Sequence, residues 1–184
     1  MSGIKKVLNS LRFLLIAPFL DLQDKRISMD VERWKSVLHI DGDQKQVMKT
    51  LLTRYKEFRN LFLYRNTGRP HFRRLVRLLY RPLDSLYITT PEIGGGLFIQ
   101  HGFSTYIAAR SIGENCWINQ LVNIGYKDDG NPPVIGNGVT IACGVVVVGD
   151  IMVGDGATIG ANAVVVKDVE PGAVMGGVPA RRLK

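Results

Sequence analysis

The sequence predicts a mainly β chain: a left-handed parallel β-helix of hexapeptide repeats behind an N-terminal α-helical lobe. Three observations predict it. Aliphatic anchors recur every six residues at Ile112, Ile118 and Ile124, and again at Ile135, Ile141, Val147, Val153, Ile159 and Val165. A small residue often follows the anchor (Gly113, Gly125, Gly136, Ala142, Gly154, Gly160), and a small or β-branched one stands two before it (Cys116, Val122, Val139, Val145, Ala157, Ala163). Before residue 86 the apolar spacing is threes and fours instead, the period of helices.

A six-residue period is neither the 3.6 of a helix nor plain strand alternation. Each hexapeptide supplies one short flat strand and a corner, and three make a triangular coil. Anchors point inward and stack in columns. The Gly or Ala beside each anchor lets the backbone turn where a larger side chain would crowd. Coils hydrogen-bond to one another, so only the ends are open. An ordinary sandwich would want turn signals about every 8–12 residues; the glycine spacing here is shorter and more regular.

The helices follow in chain order. Val7 to Leu20 is apolar but interrupted by Arg12 and Pro18, too short to cross a membrane. Lys5 and Lys6 ahead of it imitate a signal peptide, but Asp21 and Asp24 follow in place of a cleavage site. The expectation is an amphipathic helix packed on the lobe, with an interfacial membrane anchor as its rival. Ser28, with Asp30 and Glu32 behind it, is expected to open a short helix through Val37. Asp43 is expected to cap one helix carrying Val47, Leu51, Tyr55, Phe58 and Phe62, ended by Asn66, Gly68 and Pro70. Pro70 suits the start of the next, whose apolar face is Phe72, Leu75, Val76 and Leu79. The expected division is a basic helical lobe over 1–85 and a β-helix domain with a C-terminal tail over 86–184.

Charge follows the same division. The chain of 184 residues has a net charge of +8; residues 1–85 hold 18 Lys and Arg against 8 Asp and Glu, and residues 86–184 hold 6 against 8. Between Arg54 and Arg81 stand Arg54, Lys56, Arg59, Arg65, Arg69, Arg73, Arg74, Arg77 and Arg81 with one acid, Glu57. Such an excess points to an anionic neighbour: lipid head groups, a lipid-linked pyrophosphate substrate or a polyanionic glycan. No recognition motif accompanies it, which argues against nucleic acid. Cys116 and Cys143 occupy ordinary repeat positions and read as small buried residues of a reducing compartment, and no metal-ligand cluster is evident.

Two breaks interrupt the register. Ile99 and Ile112 are thirteen apart rather than twelve, around Gln100-His101-Gly102-Phe103. Ile124 and Ile135 are eleven apart, and Tyr126-Lys127-Asp128-Asp129-Gly130-Asn131-Pro132-Pro133 between them must loop out. Loops on a rigid scaffold commonly carry function. His101 is the only histidine of the β-helix and sits beside a break and a glycine; His39 and His71 lie on the helical lobe and read as structural.

The array, Ile99-Gln100-His101-Gly102, the loop ending in Pro133-Val134-Ile135-Gly136, and the ending Gly177-Val178-Pro179-Ala180-Arg181 resemble the serine acetyltransferase branch of the hexapeptide acyltransferases. The resemblance covers about 88–184 and extends to sugar O-acetyltransferases of the colanic-acid type. It implies acetyl transfer from acetyl-CoA to a hydroxyl without a metal, in a homotrimer. His101 matches the family's general base, which accepts the hydroxyl's proton as the thioester carbonyl is attacked. Acetyl-CoA would lie in a groove between neighbouring β-helices. Small corners at Gly125, Ala142, Cys143, Gly144, Gly160 and Ala161 would allow close approach of pantetheine, with Lys167 and Arg181, and beyond them Arg182 and Lys184, as cations for the phosphates.

This sequence departs from the branch at the acceptor. Leu86 stands where the family has the aspartate that partners the histidine, with Asp84 two residues away. Gln100 replaces an aspartate, and Asn131-Pro132 replace an Arg-His pair. Uncharged amides suit neutral hydroxyls better than a zwitterion. The expected acceptor is therefore a sugar of a polysaccharide precursor, free or lipid-linked, contacted by Gln100, Asn131, Tyr126 and Asp84; L-serine is the alternative. A non-catalytic scaffold is a third reading, against which the intact His-Gly and Val-Pro-Ala-Arg segments argue. The expected location is cytoplasmic, with peripheral contact at the inner face of an anionic membrane.

Overall fold

Residues six apart along 112–165 cannot share a face unless the chain turns three times in eighteen residues, and it does. The structure, a computed structural model, describes residues 3–128 and 130–184; Met1, Ser2 and Asp129, and the side chains of Ile4 and Lys6, lie outside the described residues. The chain forms two compact units, Met1–Leu83 and Asp84–Lys184.

The second unit is a mainly β parallel solenoid of three faces. Its strands are β1 (Leu86–Ile88), β2 (Glu92–Ile93), β3 (Phe98–Ile99), β4 (Thr105–Ile107), β5 (Ser111–Ile112), β6 (Trp117–Ile118), β7 (Asn123–Gly125), β8 (Val134–Ile135), β9 (Thr140–Ile141), β10 (Val146–Val148), β11 (Met152–Val153), β12 (Thr158–Ile159), β13 (Val164–Val165), β14 (Val174–Gly176) and β15 (Arg181–Arg182). The first face is β1-β4-β7-β10-β13, one strand from each of five coils. The second is β2-β5-β8-β11, and the third is β3-β6-β9-β12-β14-β15. Every pair is parallel except β14 with β15, where the tail folds back. Hexapeptide repeats of this kind fit a left-handed β-helix.

The anchors form the core. Ile99, Ile107, Ile112, Ile118, Ile124, Ile135, Ile141, Val147, Val153, Ile159 and Val165 are buried, as are Cys116, Val122, Val139, Val145, Ala157 and Ala163 two positions before an anchor. Each buried Ile or Val contributes roughly 1.5–3 kcal/mol. Register keeps like on like: Ile118 pairs with Ile99 and Ile141, and Ile141 with Ile159.

The corner glycines serve close approach. A Cβ on Gly113 would stand 2.6 Å from the Asn137 backbone nitrogen, and one on Gly136 would meet the Asp155 carboxylate and backbone. That corner is also held by side chains. The Glu114 N–H donates to Asn137 Oδ1 at 2.8 Å, and the Asn137 N–H to Asp155 Oδ1 at 2.7 Å. These Asn137 bonds hold the Asp155 carboxyl below the usual carboxylate range.

In the helical unit, α1 (Gly3–Ile16) and a 3-10 turn (Ala17–Phe19) precede α2 (Lys25–Leu38), α3 (Gln44–Arg54), α4 (Lys56–Arg65) and α5 (Pro70–Leu79). Trp34, Leu51, Leu52, Phe58, Leu61 and Val76 form its core, with Trp34 edge-on to Phe58 at 5.2 Å.

Three expectations need correction here. The cap of α2 is Asp24, not Ser28: its carboxylate accepts from the Arg26 N–H at 2.8 Å and the Ile27 N–H at 3.2 Å, so the helix opens earlier. The single helix expected after Asp43 is two, because Tyr55 is extended (φ −114, ψ 108). The break frees carbonyls that Arg59 then satisfies, Nε donating to Leu52 O and Nη2 to Thr53 O, each at 2.7 Å. Arg65 does not belong to an exposed basic face. Its side chain is 2% exposed and forms a bidentate pair with buried Asp30 at 2.8 and 3.1 Å. Helix α1 packs on the lobe as expected, through Phe13 and Ile16, and leaves Val7, Leu8, Leu11, Leu14 and Leu15 exposed.

Ile118→Ala is expected to cost about 2–5 kcal/mol through the cavity it leaves in the anchor column, against about 0.5 kcal/mol or less for exposed Met152→Ala. Urea denaturation of the two variants checks this.

Candidate active site

Where the register slips, the coil must shed its extra residues at a corner, because the faces are hydrogen-bonded above and below. Gln100 N–H donates to Ile118 O at 2.9 Å, which aligns Gln100 with Asn119. Tyr106 aligns with Asn123, and the Leu121 N–H donates to Phe103 O. Between those fixed points the upper coil has His101, Gly102 and Phe103 where the lower coil has Gln120 alone. The thirteen-residue gap is thus eight residues from Ile99 to Ile107 and five from Ile107 to Ile112: two residues are added at one corner and one removed at the next.

The added residues bulge outward. His101 is exposed and left-handed at φ 62, and Gly102 follows at φ 27. A left-handed non-glycine residue is a conformation that surrounding structure has to impose, and such outliers gather at functional sites. Beneath this bulge, on the same corner, run Ala142, Cys143 and Gly144, then Gly160 and Ala161, aligned by the Ala142 N–H to Ile159 O and the Asn162 N–H to Cys143 O. Asp84 is exposed on the coil above, at the same corner: the Thr105 N–H donates to Ser85 O at 3.1 Å. Leu86, by contrast, is buried in the core, so that position offers imidazole no acceptor.

Gln100 is held from below. The Trp117 indole N–H donates to Gln100 Oε1 at 3.2 Å and to Asn119 Oδ1 at 3.3 Å, and the Trp117 ring lies edge-on to Phe98 at 4.7 Å. The six-residue anchor period does not signal this contact, because it joins outward-facing positions one coil apart.

Tyr126 and Asn131 do not come to His101 within the chain. They lie at the next corner, between the first and second faces, where the loop after β7 leaves the coil. With Thr89, Pro91, Ala108, Ala109, Arg110 and Pro132 they line a pocket of about 200 Å³. Asp150 clamps that loop: it accepts from Arg110 Nη2 at 3.0 Å and from Asn131 Nδ2 at 3.1 Å. Arg110 N–H also donates to Pro133 O at 2.8 Å. Neither Arg110 nor Asp150 was a sequence candidate; an acid after a corner glycine, one coil below a loop, was the available signal.

The cofactor candidates divide in the same way. Gly125 and Lys167 stand at the loop's corner, and the remaining small residues at the His101 corner. Lys167 and Arg181 line one pocket of about 260 Å³ with Val166, Met175, Pro179 and Ala180, where the tail crosses the end of the solenoid. Arg182 is engaged instead with Glu170. Cys116 is buried and Cys143 half-buried, and neither is part of a disulfide. Among the described residues no group of three metal-binding side chains occurs, and no helix is long and apolar enough to cross a membrane.

Residues 132–167 match the bacterial transferase hexapeptide repeat (six repeats). Soybean serine acetyltransferase, as the apoenzyme, superposes with a TM-score of 0.63 at 26% identity over 86% of this chain and 67% of that one. Neisseria gonorrhoeae serine acetyltransferase in complex with serine shares the fold with a TM-score of 0.66 at 23% identity, over 100% of this chain and 85% of that one. The Brucella abortus enzyme in complex with coenzyme A also shares it, with a TM-score of 0.63 at 22% identity over 93% and 70%. No curated protein matches the chain.

Asp150→Ala is expected to leave stability within about 1 kcal/mol, since both of its partners are exposed, but to free the loop. Faster amide exchange across 126–133 with an unchanged melting temperature is the expected result.

Proposed function

We propose that the chain, an acetyltransferase by its repeat and fold, takes its acetyl group from acetyl-CoA and passes it to a hydroxyl, with His101 as general base. The observation that carries this reading is the exposed, left-handed His101 on the two-residue bulge. In the step proposed, the imidazole takes the hydroxyl proton as the oxygen attacks the thioester carbonyl. The C–S bond then breaks and the proton passes to the CoA sulfur. Asp84, on the same corner, is the candidate to orient the imidazole.

The serine acetyltransferase neighbours favour L-serine over the polysaccharide sugar expected from the departures at Leu86, Gln100, Asn131 and Pro132. Serine is therefore the first acceptor to offer. The sugar stands as a second reading on one observation: Gln100 is neutral and tied to Trp117, and Asn131 is tied to Asp150, so neither supplies a charge for an amino acid's own charges.

A homotrimer is proposed because the candidates occupy two corners. Side-by-side solenoids would set the His101 corner of one chain against the Tyr126, Asn131, Gly125 and Lys167 corner of its neighbour, with CoA phosphates near Lys167 and Arg181. Exposed Tyr87 and Tyr106, 6.0 Å apart on the first face, and exposed Phe103 and Leu121 at its edge support such a contact. A cytoplasmic location with peripheral contact at an anionic membrane belongs to the same proposal, supported by the apolar side of α1 and by exposed Arg73, Arg74 and Arg77 on α5.

His101→Ala is expected to lower kcat about 10²–10⁴-fold while CoA binding persists; near wild-type turnover would remove it from the mechanism. Offered acetyl-CoA with serine and with nucleotide- and lipid-linked sugars, the enzyme is expected to form O-acetylserine at kcat/KM of about 10⁴ M⁻¹s⁻¹ or more. An acetylated sugar as the sole product would favour the second reading. Sedimentation equilibrium is expected to give three chains per particle, and an active monomer would contradict the trimer.

A further inference from the structure

We propose that the helical unit carries a second site, for a phosphate group, in the cavity of about 230 Å³ lined by Asn9, Arg12, Thr53, Arg59, Tyr80 and Arg81. Four helices build it: α1 supplies Asn9 and Arg12, the last turn of α3 supplies Thr53, the first turn of α4 supplies Arg59, and the residues just after α5 are Tyr80 and Arg81. Leu78 and Leu79 complete the lining.

The charge is one-sided. Three arginines line the cavity and no acidic residue does. Arg59 is fixed in place by carbonyls, donating to Leu52 O, Thr53 O and Arg81 O at 2.7 Å each. Carbonyls orient a guanidinium without neutralising it, and two of its five N–H donors remain. Burial depresses the Arg59 pKa, with Tyr80 and Glu57 pulling it up and Arg12 down.

Unsatisfied donors are the independent observation. Tyr80 is 3% exposed, yet its hydroxyl has no hydrogen-bond partner, and Thr53 Oγ1 is likewise buried without one. Leaving such a group unpaired costs about 1–3 kcal/mol. Burial pushes the Tyr80 phenol up to about 12, with Arg12 and Arg59 pulling the other way. The phenol therefore stays protonated and presents an O–H. Hydroxyl donors beside guanidinium groups suit the several oxygens and multiple charge of a phosphate.

Two sources share that chemistry, a soluble phosphate ester and a lipid headgroup. Leu78, 82% exposed, and exposed Leu8 and Leu11, next to Asn9 and Arg12 along α1, would suit the second.

The test uses the full chain with inorganic phosphate and glycerol 3-phosphate by calorimetry, and with vesicles of phosphatidylcholine alone or mixed with phosphatidic acid by flotation. Saturable phosphate binding is expected, weakened about tenfold by Arg12→Gln and severalfold by Tyr80→Phe, which deletes only the hydroxyl. Unchanged circular dichroism and melting would show that both variants remain folded. Arg12-dependent capture by phosphatidate vesicles identifies the lipid source, and binding of the soluble probes without capture identifies the ester. No saturable binding of any probe, or binding unchanged in both variants, would overturn the site.

Discussion

The stacking of anchors inside a narrow three-sided prism governs the second unit. Each coil must lie flush on the next for its strands to pair, so Ile118 sits between Ile99 and Ile141 with nothing between them. Gly113 and Gly136 keep one corner close enough, since a Cβ at either would strike the coil below. A prism built this way tolerates no extra residue on a face. Additions have only the corners, and both breaks in the hexapeptide register are found there.

The proposed site follows from that restriction. A two-residue addition pushes His101 outward on a left-handed backbone. An eight-residue excursion, tied to the coils by Asp150, holds Tyr126 and Asn131 at a different corner. The rigid faces fix both corners, so their separation is as much a property of the fold as the buried column. The active site proposed here depends on a second chain for that reason: no movement of one solenoid brings its own two corners together.

Period was readable; what crosses the period was not. The spacing of Ile135 to Val165 announces the solenoid because every anchor obeys one rule, and the corner that bears His101 is visible as a fault in that rule. The thirteen-residue gap hides an addition and a deletion that nearly cancel, and only strand register separates them. In the helical unit the apolar stripe runs through Tyr55 without a glycine or proline, so the break there leaves no local mark. Its compensation is Arg59, whose side chain looked like one more surface cation. Arg65 misled in the same way, because its partner Asp30 is thirty-five residues earlier. Long-range partners of arginine decide whether a basic run is a surface, and they are invisible in composition. The sugar expectation drew on four changed positions, Leu86, Gln100, Asn131 and Pro132, whereas the neighbours in fold are serine acetyltransferases.

The proposed function puts the reacting end of a CoA groove at the bulge of 101–103, with the groove running down one corner of the solenoid. A crystal structure of the chain with CoA tests it most directly. The CoA sulfur is expected within hydrogen-bond reach of the His101 imidazole, about 3 Å or one water away, with pantetheine lying along Ala142 to Gly144 and Gly160 to Ala161. CoA bound in a well-defined position away from that corner, with the sulfur out of reach of His101, would contradict it.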